Sequence, residues 1–485
     1  MKVKMMSTTI LIISILVFSI VLSGCITTLY EVDLANQRRV NLEFDLEMLR
    51  PETPVVMPDP LTLNEAVSIG LENNLDIRIS RVMADIATDD ALVEKLKMLP
   101  QANFSSRVSQ SSATSASDED TLRRTASLAL TWNVLDFGLS YIRARQSAIS
   151  KEIRRMERLR QAQILTLDIA SAYWKAVLAE QSLKKIRKIE HEINKYKTKA
   201  ELMVSQRRLD PIASKAIEKK IVELAVTASN LQAEISGAKI DLCELMGVDP
   251  MTEFTPARES FKNYVKKMPA PDSLDPRKLE MISLNNRPEF YSADLDIQIQ
   301  QDEARAALLS MFPGISFDLT TYYDANSYYK NNFWITNGAG LTARLLSWPS
   351  QYVNWVNQIR TTDMVRLQRL LLTSGVIVQA HLALHEYAVR LRQFELYDDS
   401  FEIAEDLLTM SRERHELGLL SSWALTQRML EEVVARLARD RRIIDLVNAY
   451  NTLLVTLGLD YSNWGEPLPD MDEESVPEDI NYKDT

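Results

Sequence analysis

Glycine is scarce in this chain, with twelve in 485 residues. Few glycines among many aliphatic residues and alanines is the profile of a mostly helical protein. Cysteine occurs twice, at Cys25 and Cys243, so the paired cysteines of a zinc or disulfide scaffold are missing. Cys243 sits in an apolar helical context and reads as a small core residue. The four histidines are His191, His381, His385 and His415. His381 and His385 share one helix face, a spacing metals use, but the Glu between them and a third ligand are both lacking. No metal site is assigned on that basis. No Gly-rich phosphate loop and no nucleophile elbow occurs. No catalytic residue is assigned, no cofactor is expected, and an enzyme is the last-ranked reading. The basic excess that phosphate binding requires is also missing, since the formal net charge is -11. No nucleic-acid partner is expected.

What is present begins at the N-terminus. Lys2 and Lys4 precede the apolar run Ile10–Leu22, which ends in Leu22-Ser23-Gly24-Cys25. This is a secretory signal over residues 1–24. Its end resembles a bacterial lipobox, in which the cysteine is lipidated and becomes the first mature residue. Cys25 is therefore the expected lipidation site, with an ordinary signal or an uncleaved helix as the alternative. Ile26 is not Asp, so no inner-membrane retention signal is seen. Residues 25–60 are expected to form an extended arm, because Pro51 to Pro60 is too proline-rich for helix.

The organising stretch spans residues 139–208. It holds no proline or glycine, and its apolar residues recur at helical spacing. A helix of about 70 residues would be about 100 Å long, and it must lie along other long helices. Residues 351–417 form a second such stretch. Each is followed by a return helix, at 211–246 and 421–457. Thr62 and Glu65 spell a capping box at the start of an earlier helix. Asp210-Pro211 reads as an N-cap with proline in the first turn. Apolar and polar residues alternate over 102–134 and 314–346, each a hairpin with a polar connection.

The chain therefore repeats itself at an offset of about 213 residues. Residues 61–246 and 278–458 each read as helix, two strands, very long helix, turn and return helix. Residues 247–277 are an irregular, proline-rich connection, and 459–485 an acidic tail. Two hairpins supply four amphipathic strands, too few to close around a lumen. Three chains supply twelve, enough for a transmembrane β-barrel. The predicted fold class is mostly α with a small β part: very long helices that lie along one another in a coiled coil, a tube or a solenoid, and four strands per chain in a twelve-stranded barrel.

This layout resembles the TolC-like outer membrane efflux family, whose members are often lipoproteins. The residues that carry the resemblance are Leu22–Cys25, Asn73-Asn74 with Leu99-Pro100, Leu135-Asp-Phe-Gly138, Asn286-Arg-Pro-Glu289 with Phe312-Pro313, and Arg414-x-x-x-Gly418-Leu-Leu-Ser421. It covers about residues 60–460. The resemblance implies a homotrimer in outer membrane lipid, its very long helices forming a trimeric α-helical barrel, localised to the outer membrane and extending into the periplasm. A periplasmic adaptor (membrane fusion) protein and an inner-membrane pump are the implied partners. The implied role is a passive exit duct for efflux or type I secretion. The implied docking tips are Arg207, Asp210 and Pro211, and Arg414, Gly418, Leu419, Leu420 and Ser421. A plain αα-turn is the alternative at the second tip. Ala424 and Gln427 occupy the neighbourhood where family members often carry carboxylates. Trp132, Trp334 and Trp348, with Tyr322, Tyr323, Tyr328 and Tyr329, suit either a membrane interface or ordinary strand packing. The rival reading is a lipid-anchored coiled-coil scaffold without a pore.

Overall fold

The computed structural model describes residues 33–49, 57–110, 122–205, 211–257, 265–266, 268–325, 329–343 and 345–459. The first stretch forms a unit of its own, helix α1 (Leu34–Leu49). This corrects the expectation of an extended arm. The prolines that argued against helix lie beyond residue 50, and Asp33 Oδ1 accepts from Asn36 N at 3.0 Å to start the helix.

The second unit opens with α2 (Leu63–Asn73) and α3 (Leu75–Leu96), followed by β1 (Gln101–Gln110), β2 (Leu122–Asn133), α4 (Val134–Ser205) and α5 (Pro211–Met246). The order then recurs as α6 (Pro276–Asn286), α7 (Pro288–Leu309), β3 (Gly314–Asp324), β4 (Phe333–Thr342), α8 (Trp348–Glu416) and α9 (Ser422–Thr456). The capping box forms as read: Glu65 N donates to Thr62 Oγ1, and Thr62 N donates to the Glu65 carboxylate. The long helix begins ahead of the 139–208 stretch, and Leu135-Asp-Phe-Gly138 lies inside it. The cap is Asn133, whose Oδ1 accepts from Leu135 N and Asp136 N.

The strands form one antiparallel sheet in the order β1-β2-β3-β4. The helices that enter and leave it keep that order: α3 packs on α4, α4 on α7, and α7 on α8. Sheet and helical row are thus one continuous wall. At the far end α4 pairs with α5 and α8 with α9, and α9 also packs on α4.

Two cores hold the middle of the long helices. One gathers Ile169, Tyr173 and Trp174 of α4 with Leu242, Cys243 and Met246 of α5. The other gathers Tyr387 of α8 with Leu453, Leu454 and Leu457 from the end of the α9 segment. Tyr173 Oη donates to Leu61 O at 3.2 Å, and Tyr387 Oη donates to Pro269 O at 2.7 Å. Burial pushes the Tyr387 phenol well above its ordinary value.

The return helices end alike. Gly247 and Gly458 both take a left-handed conformation, with φ of 67° and 76°. Val248 N donates to Cys243 O and Leu459 N to Leu454 O, the long bond of a Schellman closure. Leu459, expected to begin the acidic tail, is buried by that closure. Both glycines press on the corner between two helices of their own repeat. A Cβ on Gly247 would lie 2.6 Å from Asn73 O, and one on Gly458 would lie 2.7 Å from Asn286 C.

Gly247→Ala and Gly458→Ala should each cost more than the roughly 1–2 kcal/mol of left-handed strain, because backbone must also move. Gly237→Ala and Gly375→Ala, in helices with open space around them, should gain up to about 1 kcal/mol. Thermal unfolding in detergent measures both pairs; equal effects at all four positions would contradict the close approach.

Candidate functional site

The sheet has two chemically opposite faces, and the register assigns every described strand residue to one of them. Directly opposed pairs share a face. Phe104–Leu128, Leu130–Leu319, Trp132–Phe317, Thr321–Ile335 and Ile315–Leu341 fall on one side. Asn103–Ala129, Ser105–Ser127, Thr131–Asp318 and Thr320–Thr336 fall on the other. The apolar side is uncovered within the chain: Phe104 is 73% exposed, Ile335 61% and Leu341 71%. Such a sheet cannot rest in water at low cost, since each large apolar side chain left wet forgoes about 1.5–3 kcal/mol.

The strands are 10 to 12 residues long. That length suits a tilted crossing of a hydrocarbon layer, which takes about 9–11 residues. Trp132 closes the apolar face at its helical end, edge-on to Phe137 in the first turns of α4. Toward the hairpin connections the two repeats are tied by charge. Arg123 Nη2 of β2 donates to Asp324 Oδ2 of β3 at 2.8 Å, and that carboxylate is buried. The expected aromatic set divides. Trp132 and Tyr323 share the apolar face, whereas Tyr322 and Trp334 lie on the polar one. Trp348 begins α8, and Tyr328 lies outside the described residues.

Between sheet and cores, a polar junction binds α4 to the second repeat. Arg160 Nε meets Glu289 Oε1 at 2.8 Å, and Arg160 Nη1 donates to Val455 O. Arg287, itself buried, reaches Glu289 and Gln379. Burial alone would raise the Glu289 carboxyl, but the Arg287 hydrogen bond and the Arg160 charge outweigh it and hold it below its usual range.

The turn between α8 and α9 is fully described. Gly418 is left-handed at φ 73°, Leu419 N donates to Arg414 O, and Gly418 N donates to His415 O. Ser421 caps α9 by accepting from Ala424 N. His415 Nδ1 lies 2.7 Å from Leu420 O. A carbonyl only accepts, so Nδ1 carries the proton. This bond draws Leu420 half under the turn and leaves Leu417 and Leu419 as the projecting apolar pair, 73% and 74% exposed. The docking residues that the resemblance implies include Leu419 and Leu420 but neither Leu417 nor His415. A His three residues before a C-terminal glycine was the available signal. Arg414 is exposed beside them.

Of the other expected site residues, Cys25, Arg207 and Asp210 lie outside the described residues, and Pro211 is the first residue of α5. His381 Nε2 lies 2.7 Å from Glu280 Oε1 across α6 and α8. Among the described residues no group of His, Cys, Asp and Glu is placed to hold a metal ion.

This fold is shared by outer membrane channels of solved structure. The Campylobacter jejuni CmeC outer membrane channel matches 85% of this chain and 91% of its own at a TM-score of 0.68 and 12% identity. The open state of the Neisseria gonorrhoeae MtrE outer membrane channel matches 82% and 89%, with TM-score 0.68 and 15% identity. The outer membrane protein VceC from Vibrio cholerae matches 82% and 96%, with TM-score 0.62 and 14% identity. The chain thus has, more particularly, the fold of the TolC-like channels. No protein-family model and no curated protein matches it by sequence.

His415→Ala should lose about 0.5–1.5 kcal/mol of local stability at the turn. Amide hydrogen exchange at Leu419 and Leu420 should quicken while the middle of α8 is unchanged. Unaltered exchange at the turn would show that the imidazole does not hold it.

Proposed function

We propose that three copies of this chain close a twelve-stranded barrel in the outer membrane and serve as the exit duct of a tripartite efflux or secretion assembly. The observation that carries the reading is the sheet itself: one apolar face with its large side chains exposed, one polar face, and β1 and β4 left as open edges among the described residues. Lipid would cover the first face and a water-filled lumen the second. The open edges would pair between neighbouring copies, because unpaired backbone is not tolerated in hydrocarbon. The fold shared with outer membrane channels supports the same conclusion.

The helical row would continue the barrel as a periplasmic tube. Its terminal helices carry exposed apolar residues, including Ile79, Val82 and Ile86 on α3 and Leu367, Leu370 and Leu371 on α8. In the ring these edges meet the next copy. The helix α8 is long and apolar enough to cross a membrane by length and composition, but the ring explains its apolar content without a crossing. Cys25 would carry lipid and assist the hold on the membrane. The turns at Arg207, Asp210 and Pro211 and at Arg414–Ser421 would meet a periplasmic adaptor, with Leu417 and Leu419 as apolar contacts. An inner-membrane pump would supply the energy, so the duct needs no cofactor and no catalytic group. A lipid-anchored scaffold accounts for long helices but leaves the apolar face of the sheet without a purpose.

Adjacent positions on β3 separate these readings. Leu319→Arg places charge on the lipid side near the middle of the strand and should cost about 2–4 kcal/mol per copy. Thr320→Arg places it in the lumen and should be tolerated. The readout is the yield of heat-stable oligomer in outer membrane fractions; equal yields would exclude the membrane wall.

A further inference from the structure

The polar face of the sheet carries large aromatic rings out of keeping with its serines, threonines and asparagines. Tyr322 and Trp334 stand directly opposite each other on β3 and β4. Their rings stack, with centroids 5.5 Å apart and planes 17° from parallel. Tyr329, from the β3–β4 connection, tilts against the same indole at 5.5 Å. Trp334 is half-buried between them, while Tyr322 and Tyr329 are 37% and 45% exposed. The outer ring surfaces of the two tyrosines therefore stay open.

The neighbours on this side are small. Ser127 is opposite Tyr322 and Ser105 opposite Ser127, their hydroxyls 2.9 Å apart. One step further along β1 on the same face is Arg107, exposed and without an ion pair among the described residues. Arg123 is already matched by Asp324. A flat surface, a low floor and an unmatched cation thus lie together at the hairpin end of the polar face. Rings stack on exposed aromatic faces, and a guanidinium favours anions.

We infer that Tyr322, Trp334 and Tyr329, with Arg107, form a lumenal ledge that binds planar aromatic anions on their way out. The ledge rests on the reading of the polar face as a lumen. In a trimer it occurs three times around one opening, so a flat anion leaving the duct passes a ring of stacking surfaces. A solute without a flat ring, or one of opposite charge, meets no equivalent hold there.

Trp334 is a built-in reporter. Purified full-length trimer is titrated with naphthalene disulfonate, and tryptophan fluorescence is followed. Saturable quenching is expected, absent in Trp334→Phe. Tyr322→Ala should weaken binding about two- to tenfold, the worth of one ring pair. Arg107→Gln should weaken it up to about fivefold, as for an exposed ion contact. Methanesulfonate, which has the charge but no ring, should not compete, and a planar cation should bind more weakly. Saturable quenching that survives Trp334→Phe, no saturable quenching at all, or equal competition by methanesulfonate overturns the ledge. A parallel measurement in bilayers of brominated lipid separates this failure from that of the barrel. There Trp132→Phe should reduce the lipid quenching and Trp334→Phe should not. If Trp132 does not respond, the membrane wall fails and the ledge with it; if it responds and the dye does not bind, the ledge alone fails.

Discussion

The backbone hydrogen bonds at the two ends of the sheet are the constraint on which the proposed assembly rests. Four strands pair with one another, and among the described residues the sheet stops at β1 and β4. In water such edges are a hazard, and in hydrocarbon each unpaired group costs several kcal/mol. Four strands are also too few to curl into a closed wall with an open interior. The remaining features follow this constraint. The helices leave the sheet in strand order, α3, α4, α7 and α8, so whatever closes the sheet also closes the helical row. Exposed aliphatic residues lie along α3 and α8, the two helices at the ends of that row.

The two repeats solve one problem with different chemistry. Each must turn a corner between a short helix and the helix leading to its hairpin, and each presses a left-handed glycine onto that corner. In the first repeat Asn74 does the work locally. Its Oδ1 accepts from Asp76 N and Ile77 N, and its Nδ2 donates to Leu245 O. In the second, Arg287 occupies the corner with Pro288 beginning α7, and no side chain caps the helix. Arg287 instead reaches outward to Glu289 and Gln379. The cap is replaced by an ion-paired junction that also engages Arg160 of α4. The same backbone geometry thus survives low similarity between the halves.

Much of this was legible in the residues. The scarcity of glycine, the long helical periodicity and the repeated order of elements gave the architecture, and Thr62 with Glu65 gave a cap that forms as read. What the residues did not reveal depended on partners far along the chain. Tyr322 and Tyr323 are adjacent and chemically alike, and only pairing with Trp334 and Phe333 decides which one joins the polar face. The long helix starts ahead of residue 139, because the capping role of Asn133 depends on the strand ending there. Proline content beyond residue 50 concealed the helix Leu34–Leu49. At the second tip, Gly418 was evident, but the bond from His415 that withdraws Leu420 and leaves Leu417 projecting was not.

The most direct test joins the two open edges. Cysteine is placed at Ser105 on β1 and, in the same chain, at one of Thr336, Gly338 or Gly340 in turn on β4, all on the polar face, and mild oxidation is followed by denaturing electrophoresis without reductant. Edge pairing between copies predicts a ladder that ends at three chains for at least one of the β4 positions. Monomers at every position, or ladders that run past three, would contradict closure of the wall by a trimer.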